Sequence, residues 1–61
     1  MNRMVKIFME RDGMTEAEAR RSYELLREDV IQAAEDGDYE EAEDVMLGAG
    51  FEMDYLVDIL I

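Results

Sequence analysis

The sequence predicts an all-α protein, a small bundle of three to four helices over about residues 2–11, 15–36, 38–47 and 53–60, within a single domain spanning 1–61. Three observations predict it. Apolar residues recur at spacings of three and four, the period of one helix face. Pro is absent, and the four Gly, at 13, 37, 48 and 50, each stand where an apolar pattern stops, as residues just past helix ends do. Two segments also open on a side-chain acceptor followed three residues later by a carboxylate, the pattern that caps a helix start.

The first segment places Met4, Val5, Phe8 and Met9 on one helical stripe. Its VKIF stretch also alternates as a strand does, but no second strand is available to pair with it, so helix is preferred. The second segment opens at Thr15-Glu16-Ala17-Glu18, where Thr15 can accept from the Glu18 N–H while the Glu18 carboxylate reaches back. Ala19, Tyr23, Leu26, Val30 and Ala33 then form one continuous seam, whereas Leu25 and Ile31 fall off it. On the outer face Glu16, Arg20 and Glu24 are spaced i,i+4 and Arg27 follows Glu24 by three, so these bases are expected to be neutralised locally.

Gly37 ends the second helix and Asp38 starts the third, with Glu41 as the carboxylate three residues on. Tyr39, Ala42, Val45 and Met46 supply its apolar face, and so short a turn requires two antiparallel helices with Tyr39 folding back on the preceding one. The stretch AAEDGDYEEAEDVM resembles the turn between the two helices of a tetratricopeptide repeat. The chain holds no second copy, and a lone repeat cannot bury its own faces, so the likeness implies a shared hairpin and not membership of that family. Beyond Gly48-Ala49-Gly50 the segment FEMDYLVDILI predicts a short last helix, apolar nearly all round except at Asp54 and Asp58. Tyr23, Tyr39 and Phe51 are expected as core anchors.

Length and composition narrow the function. A 61-residue chain supports one small core, which rarely contributes more than about 3–5 kcal/mol without disulfide, metal or self-association. Cys and His are both absent, which removes thiol nucleophiles, the usual zinc ligands and histidine acid–base catalysis. The N-terminal MNRMVKIFMERDG is too short and too charged for a signal or membrane-spanning segment, so the expected location is the cytoplasm. Neither Ser22 nor Thr15 has a His or Lys base nearby in the pattern, no Gly-rich phosphate cradle is visible, and a pair of acids acting as a glycosidase needs a walled cleft for which so small a chain has little volume. The expectation is therefore no enzyme, no catalytic residue, no cofactor and no metal.

Charge is segregated along the chain. The net charge is −11, all six bases lie in residues 1–27 beside five acids, and residues 28–61 carry twelve acids and no base. Residues 35–46, EDGDYEEAEDVM, hold seven carboxylates: Glu35, Asp36, Asp38, Glu40, Glu41, Glu43 and Asp44. Asp36, Asp38 and Glu40 match positions 1, 3 and 5 of a calcium-binding EF-hand loop, but Glu41 stands where Gly is needed and Leu47 where the bidentate Glu belongs. A face serving only solubility normally mixes signs. Like charges at Asp36–Glu40, Glu40–Asp44 and Asp54–Asp58, each i,i+4 in sequence, cost a few tenths of a kcal/mol per pair. Such a polyanion disfavours direct binding to nucleic acid or an anionic membrane and attracts basic protein surfaces.

The arrangement of ERDGMTEAEA, then GDYEEAED, then a Gly-broken segment ending DYLVDIL is similar to a group of small acidic helical proteins encoded by phages and prophages. That resemblance implies an inhibitor of a host or defence protein, of the anti-CRISPR or anti-restriction type that mimics DNA, acting in the host cytoplasm. Two readings follow. In the first, the seven carboxylates, extended by Asp54 and Asp58, dock on a basic, nucleic-acid-binding surface of another protein and block it. In the alternative, the chain is a small structural or assembly protein that forms a homodimer through its apolar C-terminal helix, with Leu56 and Leu60 in the interface and Leu25 or Ile31 helping.

Overall fold

Each of the first three helices begins on a side chain that satisfies backbone N–H groups which the helix itself leaves without partners. The structure is a computed structural model that describes residues 2–60. Helix α1, Arg3–Asp12, starts on Asn2, whose Oδ1 accepts from the Met4 N–H at 2.7 Å. Helix α2, Glu16–Glu35, starts on Thr15 with both halves of the expected reciprocal pair formed: Thr15 Oγ1 accepts from the Glu18 N–H at 3.2 Å, and Glu18 Oε1 from the Thr15 N–H at 2.9 Å. Helix α3, Tyr39–Gly48, starts on Asp38, whose Oδ1 accepts from the Glu41 N–H at 3.0 Å. A single 3₁₀ turn, Met53–Tyr55, leads into the short α4, Leu56–Leu60. No strand occurs among the described residues, so VKIF is helical. Ile61, counted above with the apolar last helix, lies outside the described residues.

The Glu18 contact links stability to pH. The Thr15 backbone N–H, then its side chain, hold the Glu18 carboxyl below the ordinary glutamate value. A folded-state value below the unfolded one means that the carboxylate stabilises the fold fully above about pH 4.5, its ordinary value, and progressively less as pH falls through the lower folded value. Glu18→Gln is therefore expected to lower the urea midpoint at pH 7 and to lower it less as the pH is taken down into the acid range. An equal loss at every pH would contradict the assignment.

Two helix ends share one construction. At the end of α2, Gly37 takes φ 75°, its N–H bonds the Ala34 carbonyl at 3.0 Å, and the Asp38 N–H bonds the Ala33 carbonyl at 2.9 Å. At the end of α3, Gly50 takes φ 80°, its N–H bonds the Leu47 carbonyl at 3.0 Å, and the Phe51 N–H bonds the Met46 carbonyl at 3.0 Å. Both are Schellman endings, in which a left-handed residue turns two N–H groups back onto the last carbonyls. Asp38 thus closes α2 with its N–H and opens α3 with its side chain. Gly48 departs from the expectation: it is the last residue of α3, and the left-handed position falls two residues later at Gly50.

Helix α2 is the central element. At about 1.5 Å per residue its 20 residues span about 30 Å, close to the 33 Å long axis of the molecule. α1, α3 and α4 all pack on it. One core cluster joins Met4, Val5 and Phe8 of α1, Ala19, Leu26, Val30 and Ala33 of α2, Ala42 and Met46 of α3, Phe51, and Ile59 of α4. Phe51 and Met46, brought together by the second Schellman ending, are both buried. Two seam positions are only partly covered: Tyr23 and Met9 are half-buried against this core.

Two apolar side chains differ from expectation. Tyr39 is 60% exposed and is no core residue. It opens α3, and helical side chains tilt toward the N-terminus, so it overhangs the turn where α2 has already ended. Ile31 is half-buried against the core and offers no free footprint. An α2 flanked by three elements buries a wider arc than a single seam. Leu25, by contrast, is 56% exposed.

The C-terminal segment is held by arginines of α1. Phe8, Phe51 and Tyr55 stack edge to face, with centroids 5.2 and 5.3 Å apart. The Arg11 guanidinium carbon lies 5.7 Å from the Phe8 ring centre and 5.1 Å from that of Phe51, while Nη1 donates to the Gly50 carbonyl at 3.2 Å and Nε and Nη2 donate to Asp12 at 2.9 and 2.8 Å. Arg3 covers Tyr55 at 4.4 Å and donates through Nε and Nη2 to the Asp58 carboxylate.

Candidate functional site

The two helices that carry the acidic stretch present it in two directions. On α3, Ala42 and Met46 are buried, so the stripe Glu40, Asp44 and Leu47, spaced i, i+4, i+7, faces outward together with Glu43. All three acids are exposed, and Leu47 is 59% exposed among them. On the flank of α3, Glu41 and Val45 line an open groove against α2, whose other wall is Asp29, Gln32, Ala33 and Asp36. The groove encloses about 360 Å³. Glu35 stands about 100° round α2 from Asp36 and is exposed outside the groove; Asp38 lies in the turn.

The structure thus brings Asp36 and Glu41 together and gathers Glu40, Glu43 and Asp44 on a second face. Asp29 joins the groove although the sequence reading omitted it. The signal was there: Asp29 and Asp36 are two helical turns apart on α2.

Local structure accounts for some of these acids and not for others. Asp38 caps α3, and Glu40 and Glu41 sit in its first turn, where the helix dipole favours negative charge. Glu35 and Asp36 stand at the end of α2, where that dipole disfavours it. Glu43 and Asp44 are past the first turn of α3. Among the described residues none of the seven carboxylates makes an ion pair: the bridges are Arg3–Asp58, Lys6–Glu10 at 3.9 Å, Arg11–Asp12 and Arg20–Glu16 at 3.7 Å.

Three expectations about charge are corrected. Asp58 is engaged by Arg3 and does not extend the free acidic surface. Arg27 forms no bridge to Glu24 among the described residues, so the local neutralisation expected for the α2 bases is realised at Arg20 alone. Of the three like-charge pairs, only Glu40–Asp44 lies within one α-helix; Asp36 belongs to the end of α2, and Asp54 to the 3₁₀ turn before α4. The repulsion is therefore spread over the surface. It predicts that raising salt from dilute buffer to about 0.15 M, where the screening length falls to about 8 Å, stabilises the protein. A gain of about 0.5–1 kcal/mol corresponds to a Tm rise of several degrees for a chain this small. A flat or falling Tm would show that the Arg3 and Arg11 contacts dominate.

Among the described residues no group of three acids is placed to hold a metal ion, and no helix is long and apolar enough to cross a membrane. The fold and this surface define a small all-α bundle with an acidic surface centred on the α2–α3 hairpin. Comparison of the chain with protein-family models, with curated proteins and with solved structures finds no match.

Proposed function

We propose that this is a non-enzymatic acidic binding protein of the cytoplasm that docks its α2–α3 surface on a basic, nucleic-acid-binding surface of a host or defence protein and blocks it, as a nucleic-acid mimic. The observation that carries this reading is the exposure, free of ion pairs among the described residues, of Glu35, Asp36, Asp38, Glu40, Glu41, Glu43 and Asp44 on a half-chain without a single base. Carboxylates spaced along two rigid helices can stand in for a row of phosphates. The likeness of ERDGMTEAEA and GDYEEAED to acidic phage-encoded proteins supports the inhibitory role. The protein, immobilised and exposed to lysate at low salt, is expected to retain a nucleic-acid-binding protein that duplex DNA and higher salt both release. Retention indifferent to salt and to DNA competition would refute the reading.

A second reading rests on the last helix. Val57 and Leu60 of α4 are 55% and 43% exposed, which favours a structural or assembly role through a homodimer. Leu56 is partly buried against the protein's own core, so such an interface would use Val57 and Leu60. Light scattering separates the two: a dimer that persists at high salt and dissociates on Leu60→Ser supports assembly, and a monomer at all salt concentrations excludes it.

A further inference from the structure

We propose that the α2–α3 groove seats an arginine side chain of the basic partner, with an apolar neighbour of that arginine resting on Leu25. This deepens the docking function proposed above and rests on it.

The groove combines two features that a merely solvated acidic face lacks. Its floor is apolar, made by Ala33 at 6% exposure and half-buried Val45, and its rim is Asp29, Asp36 and Glu41 with the Gln32 amide beside them. A side chain with an aliphatic stem and a cationic head matches that order from floor to rim. Arginine fits better than lysine because its guanidinium is flat, weakly hydrated and able to donate to two carboxylates at once. A related arrangement occurs within the molecule, where the Arg11 guanidinium lies over the rings of Phe8 and Phe51 while its N–H groups engage Asp12 and the Gly50 carbonyl.

Leu25 adds an independent observation. Leu25, Asp29, Gln32 and Asp36 recur at i, i+4, i+7 and i+11, one straight stripe along α2. The exposed leucine therefore stands one helical turn from Asp29 at the rim. A partner segment running along α2 would meet acid at the groove and then an apolar contact about 6 Å further on.

The test compares two double variants that remove the same charge. Asp29→Asn with Glu41→Gln alters the groove; Glu40→Gln with Glu43→Gln alters the outward face. None of these changes removes the cap that Asp38 gives to the Glu41 N–H. Titration by calorimetry uses eight-residue arginine and lysine peptides and an arginine peptide carrying one leucine four residues from an arginine. The groove pair is expected to weaken octa-arginine at least tenfold and the outward pair less than threefold. Octa-lysine should bind more weakly than octa-arginine, and the leucine peptide more tightly, with Leu25→Ser removing that gain. Equal weakening by both pairs would overturn the groove while leaving docking by the general field. Equal affinity for the two homopolymers would overturn the choice of arginine, and a leucine peptide no tighter than octa-arginine would overturn the Leu25 contact. No binding of any basic peptide would overturn both the groove and the docking function.

Discussion

Phe51→Ala is expected to abolish cooperative unfolding. Phe51 is 2% exposed, packs edge to face between Phe8 and Tyr55, and lies under the Arg11 guanidinium. Truncating a buried Phe costs about 3–5 kcal/mol, on the order of all the stability that a core of this size supplies. The loss is compounded because Phe51 follows the Schellman ending of α3 and sits against Met46 there. A urea titration followed by circular dichroism should show a shallow, featureless decline in place of a sigmoid. Leu25→Ala, at a 56% exposed position, is the control and should stay within about 0.5 kcal/mol of the parent. A cooperative Phe51→Ala transition within about 1 kcal/mol of the parent would mean that the C-terminal segment does not pack as described.

The next largest effect is expected at the α2–α3 turn, and its sign reverses at the glycine that ends α3. Gly37 has φ 75° and nothing near its Cα that an added side chain would strike, so the cost of replacing it is conformational. Left-handed backbone costs an ordinary L-residue about 1–2 kcal/mol, and a β-branched side chain fits it worst, which puts Gly37→Val near 2 kcal/mol of destabilisation. Gly48 is also unobstructed, but it is helical with no positive φ. Ala there removes the flexibility of glycine in the unfolded chain and should stabilise by about 0.5–1 kcal/mol. Thermal melts of the two variants should move in opposite directions. Movement in the same direction would contradict the placement of the helix end at Gly50.

Local chemistry explains why so much of this architecture could be read in the sequence. Thr15 with Glu18, Asp38 with Glu41, and the glycines at 37 and 50 act within a few residues of themselves, so their roles do not depend on the rest of the fold. The core seam of α2 was legible for a similar reason: Ala19, Leu26, Val30 and Ala33 share one side of any helix built on that stretch. Contacts made across the molecule were not legible. Nothing in the sequence spacing tells Arg3 that Asp58 will lie beside it, or Arg11 that it will donate to the Gly50 carbonyl. Tyr39 fits the apolar stripe by its spacing, but only the three-dimensional end of α2 shows that the core does not reach it. The acidic stretch was plain as composition. Its division into an outward stripe and a groove became visible only once α3 was docked, with Val45 on the floor and Asp29 recruited from two turns earlier.

The double duty of Asp38 bears on how anything meets this protein. Since one residue finishes one helix and begins the next, no slack joint exists between them, and the backbone positions that carry the acids are fixed relative to one another. Any ordering that an encounter demands of this hairpin then falls on its exposed carboxylate side chains and not on its backbone.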